Sequence, residues 1–174
     1  MSFREFIELY HGLHFEATSL DDVLKNHESL SQSITAKIEK AGQKVIPLFK
    51  EYLKVGHYPY FFDLKNEELF FITLEQNIHS TVENDLLFVY PSISGNSIKK
   101  ILALLGVIRQ SVPFAPDMSK LKKLIDVGDE RTLKNYLKYL EDAGLIRLLA
   151  KSANTMSAIE KPEKIYLDNS NLLY

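Results

Sequence analysis

Apolar side chains recur at helical spacing along most of the chain. Phe3, Phe6, Ile7, Leu9 and Tyr10 predict a short helix that stops near Gly12. Ser19 followed by Asp21 and Asp22 predicts an N-cap with acids in the first turn, where they complement the helix dipole. That cap opens a helix through Val23 and Leu24. A second amphipathic stretch carries Ile34, Ile38 and Ala41 and ends near Gly42. A third holds Val45, Ile46, Leu48, Phe49, Tyr52, Leu53 and Val55, with Pro47 in its first turn, where a missing N–H is tolerated. Gly56-His57-Tyr58-Pro59-Tyr60 interrupts the pattern, since Gly ends a helix and Pro59 biases Tyr58 away from helical dihedrals. Asn66-Glu67-Glu68 reopens a helix through Leu69, Phe70, Ile72, Leu74 and Ile78. Asp85–Tyr90 is a short apolar run, and Pro91-Ser92-Ile93-Ser94-Gly95-Asn96 is the best linker candidate.

Beyond residue 96 the order of elements changes. Ile98, Ile101, Leu102, Leu105 and Ile108 predict one helix, and Pro113-Phe114-Ala115-Pro116 a turn. Asp117 or Ser119 caps a short helix with Leu121, Leu124 and Ile125, followed by a tight turn at Val127-Gly128-Asp129. Leu133, Tyr136, Leu137 and Leu140 stripe a further helix that closes at Ala143-Gly144. Leu145–Leu149 and Lys164–Leu167 read as two strands around a polar segment. Helix, helix, turn, helix, strand, loop, strand is the order of a winged helix. The expectation is therefore a mainly α protein: a helical bundle over residues 1–93, then a winged helix-turn-helix with a small β-wing over 94–174.

Charge sharpens the two-part division. Residues 1–96 hold 8 Lys/Arg against 14 Asp/Glu, whereas residues 97–150 hold 10 against 6. An acidic front and a basic middle suggest modules with different partners, although scattered solvated faces account for the asymmetry equally well. The chain has no cysteine, which excludes disulfides, cysteine-ligated metals and thiol catalysis. No apolar run approaches the roughly 18 residues a membrane helix needs, and the start MSFREFIELY has no signal-like core. A cytoplasmic protein without membrane partners is expected.

The helix-turn-helix carries the clearest chemical expectation. Its last helix leaves Arg131, Lys134, Asn135 and Lys138 away from the buried stripe, a face able to meet phosphates and a base edge. Lys120, Lys122 and Lys123 add charge on the preceding helix, while Glu130, Glu141 and Asp142 dilute it. A rigid spacer or protein-docking surface is the alternative use of such a face. A phosphate-binding loop cannot be assembled, because no two of the seven glycines lie five apart. Leu124-Ile125-Asp126 has the form of an apolar run ending in a metal-binding acid, but it lies in the helix-turn-helix. His11 and His14, with Glu16 nearby, form the one arrangement suggestive of metal, on a segment leaving a helix; surface residues explain them better, and no metal site is expected. Tyr58, Tyr60, Phe61 and Phe62 form an aromatic cluster better suited to packing than to base stacking.

Four segments together resemble a known family. Ser2-Phe3-Arg4-Glu5-Phe6 resembles the LSFREF element that follows the sensor strand in a family of prokaryotic AAA-type P-loop ATPases. Phe49-Lys50-Glu51-Tyr52-Leu53-Lys54-Val55-Gly56-His57-Tyr58-Pro59 is similar to that family's F-x-E-Y-L-x-x-G-G-Y-P, with His57 in place of the second glycine. Lys161–Tyr174 resembles its KPxKIYLxNTNLLY, near the start of a C-terminal domain of unknown function, and Arg131–Ile146 is similar to its winged-helix motif.

The resemblance implies an ATPase domain ahead of Met1 and a nuclease-like domain beyond Tyr174. On that basis this chain is expected to be the lid and winged-helix portion, non-catalytic by itself, with ATP and Mg²⁺ belonging to the parent protein. Its expected roles are covering the nucleotide site, docking and regulation; a DNA-binding module or transcriptional regulator is the alternative. Arg4 matches the family's SFRE arginine. The two readings of it are a place near the nucleotide and a salt bridge with Glu8, four residues on.

Overall fold

The computed structural model describes residues 1–110, 115–150 and 162–174. Pro113 and Phe114 of the expected turn, and the polar segment over 151–161, lie outside them. The protein is mainly helical with one small antiparallel sheet. Its contacts divide it into two units, Met1–Phe70 and Phe71–Tyr174. The division falls inside a helix.

The first unit begins with α1 (Phe3–His11), which Ser2 and Glu5 start by a reciprocal capping box. The Glu5 amide donates to Ser2 Oγ at 3.3 Å, and the Ser2 amide donates to Glu5 Oε2 at 2.7 Å. Two orphan donors of the helix start are thereby satisfied. Gly12 ends α1 with φ +64°, a conformation that L side chains rarely adopt. α2 (Leu20–Lys40) joins the two stretches expected separately, and Asn26 keeps non-helical dihedrals (φ −128°, ψ 20°) between them. The break seen in the sequence is therefore a kink. Then come α3 (Val45–Val55), α4 (Phe61–Leu64) and the first part of α5 (Glu67–Ser80). Phe6, Ile7, Ile38 and Leu48 form the buried centre, with Phe3, Tyr10 and Tyr52 packed around it.

Gly56 ends α3 where a side chain would force its neighbours to shift. A Cβ there would lie 2.6 Å from Tyr52 Cα and 2.8 Å from Phe6 Cδ2. The first glycine position of the family-like GHYP segment is therefore a close-approach site. His57 has no positive φ, so a side chain is accommodated at the second position without backbone strain. The His57 carbonyl accepts from the Met1 amino nitrogen at 2.9 Å, and Tyr52 Oη donates to the Met1 carbonyl at 3.0 Å. The aromatic cluster is packing, as expected: Phe61 and Tyr60 lie against Phe70 at 5.3 and 5.2 Å, and Phe61 stacks with Tyr10.

In the second unit, α5 runs through a π turn at Thr81–Asp85 into α6 (Leu86–Val89). The apolar run expected to be short and separate is thus the end of a longer helix. Val82 and Leu86, four apart, are buried, while Phe88 is 89% exposed. α7 (Gly95–Arg109) begins at Ser94, whose Oγ accepts from the Ser97 amide, so the linker candidate is largely a cap. α8 (Met118–Leu124) starts at Asp117 and α9 (Glu130–Asp142) at Asp129, each by a carboxylate cap. Asp126 takes the left-handed conformation between them (φ +54°), and Lys100 of α7 holds its carboxylate at 3.1 Å and its carbonyl. β1 (Ile146–Leu149) pairs antiparallel with β2 (Lys164–Leu167), Ile146 opposite Leu167 and Leu149 opposite Lys164. A 3₁₀ turn at Ser170–Leu173, capped by Asn169, follows. Ile101, Leu104 and Ile108 of α7, Leu133, Leu137 and Leu140 of α9, and Ile146 and Ile165 of the sheet are fully buried.

Gly56→Ala is expected to destabilise the protein by about 1–3 kcal/mol, since backbone as well as a ring must shift. Gly106→Ala, with nothing within 4 Å of the new methyl, is expected to be neutral or stabilising by up to about 1 kcal/mol. The urea midpoint should fall in Gly56→Ala and stay level or rise in Gly106→Ala.

Candidate interaction surface on helix α9

The buried leucines of α9 fix which residues point outward. Leu133, Tyr136, Leu137 and Leu140 take one side, so Arg131, Lys134, Asn135 and Lys138 share the opposite side within roughly 100° of arc. The four candidate residues thus lie on one face, but they are not equivalent. Arg131 and Asn135 are exposed and one turn apart. Lys134 and Lys138 are half-buried and paired with acids of the same helix.

Lys134 Nζ lies 3.0 Å from Glu130 Oε1, four residues earlier. Lys138 contacts Asp142, four residues later, and donates to Tyr90 Oη at 3.2 Å. Tyr90 Oη in turn donates to Asp142 Oδ2 at 2.5 Å. The Tyr90 ring lies 4.5 Å from that of Tyr139 and receives the Lys138 ammonium over its face at 5.8 Å. Burial works to raise the Asp142 carboxyl, but the hydrogen bonds from Lys138 and Tyr90 outweigh it and leave it below its ordinary value of 3.8. The hydrogen bond to Asp142 raises Lys138. Over Glu130–Asp142 the three cations meet three acids, so the helix as a whole is neutral.

The tyrosine at position 90 was not legible as part of this face. The i,i+4 spacings Glu130/Lys134 and Lys138/Asp142 were present in the sequence and are the signal that identifies the pairing. Elsewhere in this unit, Lys100 and Lys122 are engaged with the carbonyls of Asp126 and Gly128. Part of the basic middle therefore serves the turn between α8 and α9.

In the first unit Arg4 is exposed on α1 and makes no ion pair with Glu8. Glu8 is bound instead by His14, whose Nδ1 lies 2.7 Å from Glu8 Oε1. The hydrogen bond to Glu8, and then its charge, raise His14. His11 does not join it: its ring meets Phe6 edge-on at 6.1 Å, with Nε2 buried and unbonded. The two histidines therefore fail to converge, and the described residues contain no cluster of three or more metal-ligating side chains. Tyr10 nearby is pushed up to about 12, by burial first and by Glu51 and Asp63 second. An open cleft of about 600 Å³ is lined by Met1, Glu5, Glu8, Leu9 and Pro59; its two carboxylates and lack of glycine amides do not suit a triphosphate. No helix among the described residues is long and apolar enough to cross a membrane.

Asp142→Asn removes an acceptor from both Lys138 and Tyr90. For a partly exposed pair a loss of about 0.5–1 kcal/mol at neutral pH is expected. A carboxyl lowered in the folded state stabilises fully above its ordinary value of 3.8, and that stability is lost as pH falls through the lower folded value. Urea midpoints measured from neutral to strongly acid pH should therefore show a shallower acid decline in the variant than in the parent.

No curated protein and no solved structure matches the chain. Residues 46–174, from the first turn of α3 to the end, match the family described as Domain of unknown function (DUF8612). That span includes Gly56, Tyr90, Lys138 and Asp142, while Arg4 lies ahead of it. Since the match covers well over half of its length, the chain belongs to this family of unknown function.

Proposed function

We propose that this chain is a non-catalytic docking and regulatory module of an AAA-type ATPase, its second unit acting as a winged helix. Four motif resemblances support the ATPase context, and the order α7, α8, turn, α9, β1, β2 supports the winged helix. One observation carries the choice of docking over DNA: the cations on the outward face of α9 are compensated in place. Lys134 is held by Glu130, and Lys138 by Asp142 with Tyr90. Neutralising phosphates requires cations whose counterions are displaced on binding. Here intramolecular carboxylates hold two of them, and an extended duplex contact would have to break those pairs. A neutral, ordered, partly aromatic face suits a protein partner better.

The exposed Arg4 guanidinium, without an ion pair among the described residues, supports a contact from α1 toward a nucleotide held by a P-loop domain. Arg4→Ala should therefore lower ATP turnover of a family P-loop ATPase assembled with this module, with an unchanged unfolding midpoint.

Titration of labelled duplex DNA with the chain at several salt concentrations tests the main reading. The expected result is binding no tighter than about 10⁻⁴ M near physiological salt, the weak end of non-specific association. Affinity that falls steeply with salt and disappears in Lys134→Glu/Lys138→Glu would overturn docking in favour of the DNA-binding module. In a second assay, adding the chain to a P-loop ATPase of the resembled family should change its turnover. No change, with no detectable complex, counts against the ATPase context.

A further inference from the structure

A cavity of about 150 Å³ lies within the second unit, where α5, α7 and the 3₁₀ turn meet. Ile78, Leu102, Leu105 and Leu172 line it, and Leu105 and Leu172 are buried. Glu75 and His79 of α5 and Arg109 of α7 share the lining. These three are exposed, so they form a polar rim over an apolar floor. His79 is engaged locally, its Nδ1 3.2 Å from Glu83 Oε1. Arg109 Nε donates to the Leu173 carbonyl at 3.3 Å, which anchors the guanidinium at the rim. Neither Glu75 nor Arg109 has an ion pair among the described residues, with each other or with a third group. One wall of the cavity therefore offers an uncompensated acid and the other an uncompensated base. Gly106 of α7 is an independent observation at the same place. Glycine is among the least favourable residues in a helix interior, and close packing is the usual reason to find it there. Here a Cβ would meet nothing within 4 Å among the described residues. No neighbour demands the missing side chain; its absence widens the cavity that Gly106 lines.

We propose that this cavity binds a small aliphatic α-amino acid of about the size of leucine. The ligand carboxylate meets the Arg109 guanidinium, its ammonium meets the Glu75 carboxylate, and its side chain lies on the leucine floor. The chemistry of the lining selects this class. A simple carboxylate would satisfy Arg109 but stand beside Glu75, and a simple amine would satisfy Glu75 but stand beside Arg109. A zwitterion compensates both, through charge-assisted hydrogen bonds. The space holds about five waters, which suits a short hydrocarbon chain and excludes a nucleotide. Release of that water from the leucines supplies the attraction, and the two charges set the orientation.

Calorimetric titration of the chain with L-leucine, 4-methylpentanoate and 3-methylbutylamine tests this. The second compound lacks the ammonium group and the third lacks the carboxylate. The expected Kd for leucine is about 10⁻⁴ M, within reach of a ligand with so few atoms. Each of the other two should bind about tenfold more weakly, since one hydrogen-bonded charge is lost. Glu75→Gln should remove the preference for leucine over 4-methylpentanoate. Arg109→Gln should remove the preference over 3-methylbutylamine. Both variants should keep the unfolding midpoint of the parent, because both side chains are exposed. Gly106→Leu, which fills the cavity from α7, should abolish binding. If that variant fails to fold, the two rim variants decide. No saturable binding of leucine up to about 10 mM, a hundred times that Kd, would overturn the proposal. So would equal affinity of the parent chain for all three compounds, preferences that survive both rim substitutions, or leucine binding retained by a folded Gly106→Leu.

Discussion

The buried stripe of α9 is the constraint on which the second unit depends. Leu133, Leu137 and Leu140 are wholly shielded, and Leu104 and Ile108 of α7 and Ile146 and Ile165 of the sheet are shielded in the same unit. Each such side chain contributes about 1.5–3 kcal/mol relative to exposure. Rotating α9 would expose three leucines at once, so its outward side is decided by its inward one. That is why Arg131, Lys134, Asn135 and Lys138 share a face even though two of them are bound to acids.

Electrostatics then determines what that face offers. A lysine four residues after a glutamate, and another four before an aspartate, have partners within reach as soon as the helix forms. Tyr90, at the end of α6, adds a hydroxyl to the second pair and a ring beneath its ammonium. A face charged in composition is thereby close to neutral in structure. The same holds for Lys100, whose role is to steady the left-handed turn at Asp126. Net charge over a stretch of sequence is a poor guide to a phosphate-binding surface when the cations are consumed locally.

The resembling motifs acquire local explanations. SFRE is a capping box at the start of α1, and Gly56 is a point where α3 meets Phe6 too closely for a Cβ. DNSNLLY contains the cap of a 3₁₀ turn in which Asn171 is fully buried. Each of these residues meets a local requirement of folding. Arg4 has no such local explanation, which is why a contact outside the described residues is proposed for it.

Much of the helical content was legible because it is a local property. Caps at Ser19 and Asp117, and stripes of period 3.6, are written in neighbouring residues. The two strands were legible from their apolar runs, and the absence of a triphosphate loop from the spacing of glycines alone. The sequence did not reveal that α5 continues through a π turn into α6, because the extra residue per turn breaks the period a reader follows. The pairing of Tyr90 with Lys138 and Asp142 joins residues about fifty positions apart. Local patterns specify helices and their exposed sides; which distant groups neutralise one another is decided when those helices pack.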